Sequence, residues 1–156
     1  MKRIFGIFLL VLVMFSCQDK TSEHKQNVRH VQKVAYYYVE TDIPWIIYYY
    51  DVVGEDSTWV EEKRFHENGV LQLEGKIVDN QREGEFRGYY PSGALMSVGN
   101  FVKGKREGKG KLYYENGQVN IENEYCDDKP CGVWKKYDYE GNFVTSGDAN
   151  YVIGLF

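Results

Sequence analysis

The sequence predicts an all-β protein, a single-layer antiparallel meander of 24-residue β-hairpin repeats. Three observations carry this. Gly69, Gly93, Gly117 and Gly141 stand 24 residues apart, each with an aromatic four residues earlier (Phe65, Tyr89, Tyr113, Tyr137). A second series, Gly84, Gly108 and Gly132, keeps the interval, and a third runs Gly75, Gly99, Asn123 as its exception, then Gly147. Between them the residues alternate: Leu71, Leu73 and Ile77, Leu95 and Phe101, then Val119, Ile121 and Tyr125 share one side, while Gln72, Glu74, Asn120, Glu122 and Glu124 point away. A fixed period of this length means one supersecondary unit stacked on itself. Period-two alternation signals strands, and neither the glycine density nor the apolar spacing fits a helix.

The first element is a targeting segment. Lys2 and Arg3 precede an apolar run over residues 4–15, which is shorter than the roughly 20 residues a membrane span needs. A charged start, a short apolar stretch and a small residue describe a secretory signal peptide over residues 1–16. Met14-Phe15-Ser16-Cys17 resembles the lipobox of bacterial lipoproteins, which implies lipidation at Cys17. The alternatives are an ordinary signal peptide cut elsewhere or a short uncleaved anchor. Asp19 beside that site resembles the export context of Bacteroidetes-type lipoproteins, implying a place in the cell envelope, anchored to a membrane by lipid. Residues 17–33 are polar and aperiodic, and so are expected to form a disordered tether.

Residues 34–58 are predicted to form a divergent capping hairpin. Tyr36-Tyr37-Tyr38 and Trp45-Ile46-Ile47-Tyr48-Tyr49-Tyr50 favour strands, and Thr41-Asp42-Ile43-Pro44 can turn between them. Such a hairpin protects the first edge of an open sheet, or offers an aromatic contact surface.

Residues 59–156 hold about four repeats. In the best copy Tyr90-Pro91-Ser92-Gly93 forms the turn, with Pro91 preset for its second position and Gly93 free to turn left-handed. His66-Glu67-Asn68-Gly69, Tyr114-Glu115-Asn116-Gly117 and Asp138-Tyr139-Glu140-Gly141 keep that chemistry. The opposite ends turn at Asp79-Asn80-Gln81, Lys103-Gly104-Lys105 and Asp127-Asp128-Lys129-Pro130. The mid-strand glycines 75, 99 and 147 leave room for an aromatic to lie across the backbone. The tyrosines at 89, 113 and 137 are the expected occupants.

Gly84-Glu85-Phe86-x-x-Tyr89-Tyr90, Gly108-Lys109-x-x-x-Tyr113-Tyr114-Glu115-Asn116-Gly117 and Gly132-Val133-Trp134-x-x-Tyr137 resemble the MORN-variant repeat. The departures are Gly110 where Phe86 and Trp134 stand, Asp138 for the second tyrosine, and a first copy with Val60 and Glu62. The resemblance implies an exported repeat module with protein or lipid contacts and no catalytic residue. One branch of such proteins carries the label of an antitoxin, which makes an antitoxin or immunity-type protein the alternative.

Of the three cysteines, Cys126 and Cys131 flank a turn. In an oxidising compartment they are expected to form a disulfide, against the alternative of two free thiols. His24, His30 and His66 have no ligand spacing to them, so no metal site is expected. The net charge of −4, or −6 once Lys2 and Arg3 leave with a signal peptide, argues against nucleic acid. The lysine-rich stretch from Gly104 to Lys111 lacks the strand-loop-helix setting of a phosphate loop. No serine has a nucleophile-elbow context, and paired carboxylates would need a cleft that a thin sheet does not supply. The expectation is therefore a non-catalytic module without cofactor that recognises a protein or envelope polymer. An envelope enzyme and a scaffold without ligand are the further alternatives. With 16% aromatic residues, the ladder Phe86, Tyr89, Tyr113, Trp134 and Tyr137 is expected to serve either packing or binding.

Overall fold

The computed structural model describes residues 27–149. The signal segment, Cys17, Asp19, His24 and the residues after 149 lie outside them. All described strands join one antiparallel sheet, ordered as they occur in the chain. The leading hairpin is β1 (Arg29–Tyr37) and β2 (Pro44–Val53). The repeats follow as β3 (Asp56–Phe65) with β4 (Leu71–Val78), β5 (Gln81–Tyr89) with β6 (Leu95–Val102), β8 (Gly108–Tyr113) with β9 (Val119–Cys126), and β10 (Lys129–Tyr137) with β11 (Phe143–Asp148). A two-residue strand, β7 (Lys105–Arg106), pairs with β6 just before β8 does.

The fold class is the one the sequence predicts. The boundaries at the start differ. β1 begins at Arg29, inside the stretch expected to be tether, and pairs Arg29 with Val52 through to Tyr37 with Pro44. The polar side chains of Arg29, His30, Gln32 and Lys33 hid this strand, because an edge strand needs backbone hydrogen bonds more than apolar side chains. β3 likewise begins at Asp56, three residues before the expected start of the array.

Turn chemistry fixes the register at both ends of the hairpins. Gly93 donates its N–H to Tyr90 O (2.8 Å), Tyr90 donates to Ala94 O (2.8 Å), and Gly93 has φ 88°. That is a type I turn closed by a glycine bulge. At the other ends Asp79 and Asn80 (φ 49° and 61°), Lys103 and Gly104 (50° and 83°), and Asp127 and Asp128 (54° and 70°) are left-handed in pairs. Two successive left-handed residues make a type I′ turn, whose twist matches that of the strands it joins. Cys126 and Cys131 flank the last of these and are bonded, their Cα atoms 5.8 Å apart.

The core is thin. Ile77 is 2% exposed and Phe86 3%. Ile46 and Ile47 are adjacent in β2 and both buried, so β2 is covered on both faces at that point, while β1 beside it is largely exposed.

Candidate functional site

Register separates the expected aromatic ladder into two. Phe86 pairs with Gly75 on one side and Gly99 on the other, so its ring shares a face with the mid-strand glycines. Tyr89 lies three residues on, and an odd step along a strand reverses the face. Its hydroxyl donates to Glu74 Oε1 (2.7 Å), whose cross-strand partner is Arg87. Tyr137 likewise donates to Glu122 Oε2 (3.1 Å). Phe86 and Trp134 therefore stand on a glycine face, while Tyr89, Tyr113 and Tyr137 stand on an opposite tyrosine face. This corrects the expectation that the tyrosines cover the glycines. A Cβ on Gly75 would overlap the Phe86 ring, and one on Gly147 would lie 3.0 Å from the Trp134 ring.

On the glycine face charge and aromatic rings interleave. The Phe101 ring meets Phe86 edge-on at 4.9 Å. The Arg82 guanidinium lies 4.9 Å from the Phe86 centroid and 5.4 Å from that of Phe101. One repeat on, Arg106 lies 4.2 Å from the Tyr125 ring. Glu62, the first copy's counterpart of Phe86, is 3% exposed. It accepts hydrogen bonds from Arg64 Nε (2.6 Å) and Arg82 Nη2 (3.2 Å). A buried carboxylate needs such partners. Trp134 Nε1 is buried without a hydrogen-bond partner among the described residues.

The third repeat breaks the row. Gly110 pairs with Asn123, so neither the usual ring nor the usual glycine is present. A Cβ on Gly99 would meet nothing within 4 Å. A groove of about 420 Å³ opens there, lined among others by Phe86, Phe101, Leu112, Ile121, Arg82 and Arg106.

The tyrosine face is a hydrogen-bonded network. Burial, then the bond to Glu74, raises the Tyr89 pKa above that of free tyrosine. Burial and then Glu122 do the same for Tyr137. Lys111 bonds Glu122 at 2.9 Å, which lowers the carboxyl pKa and raises that of the lysine.

Sequence reasoning missed the contacts that join one repeat to the next. Tyr90 Oη donates to Tyr113 O (2.7 Å), Tyr114 Oη to Tyr137 O (3.0 Å) and His66 Nε2 to Tyr89 O (2.8 Å), each spanning 23 residues. Asn68 and Asn116 donate to Pro91 O and Tyr139 O over the same span. The signal was in the sequence, because Tyr90 and Tyr114 keep the 24-residue step. Asp138, the exception, instead accepts from Asn142 N (2.7 Å) and Glu140 N (3.1 Å) in its own turn. Arg82 and Arg106 were also missed, since surface-like charge conceals ring stacking, and Glu62 stood out only as a departure of the first copy.

Residues 60–79, 82–103 and 106–127 match the MORN repeat variant. Each matched segment is one hairpin of the sheet, so the chain carries a MORN-type repeat module. No curated protein matches the chain.

Proposed function

We propose that the chain is a non-catalytic recognition module of the cell envelope, held to a membrane by lipid at Cys17, whose open sheet takes a protein or envelope polymer. The observation that carries this reading is the exposure of large apolar side chains on a single-layer sheet. Tyr36 and Tyr37 are 55% and 56% exposed at one end, and Val133 and Phe143 both 58% at the other. Tyr36 also packs against Trp45, their rings tilted and 5.9 Å apart. Apolar area left open in this way marks interaction surfaces, and tyrosine and tryptophan dominate interface energetics. Tyr89 and Tyr137 belong to packing instead, because their hydroxyls are already bonded.

The test is capture from envelope extract by the full lipidated chain, comparing wild type with Tyr36→Ala/Trp45→Ala and with Phe143→Ala. Loss of a specific partner by either variant, with the sheet intact by circular dichroism, is the expected result. Identical capture by all three proteins overturns the reading. Mass spectrometry of the mature N-terminus checks the anchor: an acylated Cys17 is expected, and an unmodified one refutes it. A captured toxin silenced by the chain would make the module an immunity protein.

A further inference from the structure

The repeats themselves show what belongs above a mid-strand glycine. Phe86 lies on Gly75, and Trp134 lies on Gly147. Between these two filled cells is one that the chain leaves open, because position 110 carries glycine. Its floor is the strand backbone at Gly99, above which nothing stands within 4 Å. Its walls include Phe86 and Phe101, and the groove measures about 420 Å³, within the range of small-ligand sites. Arg82 and Arg106 both line it, and both already stack on rings of this chain. A guanidinium plane attracts the negative face of an aromatic ring.

We infer that this groove is a socket for an aromatic side chain presented by a partner polypeptide, taking the place that Phe86 and Trp134 fill in the neighbouring cells. This rests on the reading of the chain as a recognition module and specifies the chemistry that it recognises. A phenyl, phenol or indole ring satisfies a flat glycine floor, ring edges and guanidinium planes together. An aliphatic side chain fills the space but gains nothing from the arginines. A glycan can pack on the ring walls but offers no π-face to the arginines.

The test is a titration of the full chain in detergent with N-acetyltryptophanamide, read by the backbone amide resonances of Gly99, Gly110 and Asn123. N-acetylleucinamide and N-acetylglucosamine are the controls. The tryptophan compound should shift these amides and bind roughly two- to tenfold tighter than the leucine compound, the added worth of ring contacts. Gly110→Phe/Asn123→Gly restores the ring-on-glycine pair and should abolish the shifts. The second change is needed because a Cβ at Gly110 would lie 2.7 Å from Asn123 Oδ1. Gly99→Leu, where space is free, fills the same groove from the opposite strand and serves if the double variant fails to fold. Shifts that persist in a folded filled variant, that fall on other residues, or that the leucine or sugar compound reproduces equally, overturn the socket. In the envelope capture, a filled variant that keeps the wild-type partner refutes the socket but leaves the recognition module standing. A wild type that captures nothing refutes the module, and the titration then judges the socket alone.

Discussion

The second and third repeats share their length, their turns and their stitches, yet differ at the centre. In one, Phe86 is buried over Gly75; in the other, Gly110 pairs with Asn123 and the groove opens beside them. The peripheral hydrogen bonds set the frame, and the mid-strand pair decides whether a cell is core or cleft. A MORN-type hairpin can therefore change its surface without changing its fold.

The largest test of this contrast is Phe86→Ala. It removes one of the few buried apolar side chains among the described residues and should cost about 3–5 kcal/mol in urea unfolding. A loss below about 1 kcal/mol would mean that the second cell is no more a core than the third. Gly75→Ala and Gly99→Ala come next. The first drives a methyl into the Phe86 ring and should destabilise by about 1–3 kcal/mol. The second meets open space and should be neutral or stabilising by up to about 1 kcal/mol. If both substitutions have the same sign, the ring-on-glycine account is wrong.

Removing the disulfide with Cys126→Ser/Cys131→Ser distinguishes the outer turns. It should cost about 2 kcal/mol from the entropy of so short a loop, read as a fall of several degrees in Tm. The corresponding turn at Lys103-Gly104 does without a bridge. Smaller still, Tyr90→Phe and Tyr114→Phe should each cost about 1 kcal/mol, and by similar amounts, since each removes one stitch of the same frame. A twofold difference would show that the frame is not uniform.

The smallest effect concerns the tyrosine face at high pH. The folded-state pKa of Tyr89 is raised by burial and by Glu74. Its contribution to stability is thus complete below the free tyrosine value near 10 and is lost as pH rises through the raised value. Tyr89→Phe should lower stability below pH about 10 and flatten its fall above that pH, measured by circular dichroism of unfolding at a series of pH values.

Much of this was legible in advance. Period, turn residues and alternation fixed the meander because each is local chemistry repeated. The start of β1 was not, since Arg29, His30, Gln32 and Lys33 give no apolar signal. Faces were misjudged for Phe86 and Tyr89 although their spacing of three already implies opposite sides. The groove was half legible: Gly110 and Asn123 stood out as exceptions in two separate series, but only register shows that they oppose each other. Arg82 and Arg106 were opaque, because whether a guanidinium stacks on a ring depends on the strand beside it.

The 23-residue stitches have a kinetic consequence. Each 23-residue stitch links a hairpin to its immediate successor, so ordering one hairpin lowers the entropy that the next must lose. Zipping can begin at any rung and spread both ways, without a unique nucleus and with mostly local closure, which favours rapid folding.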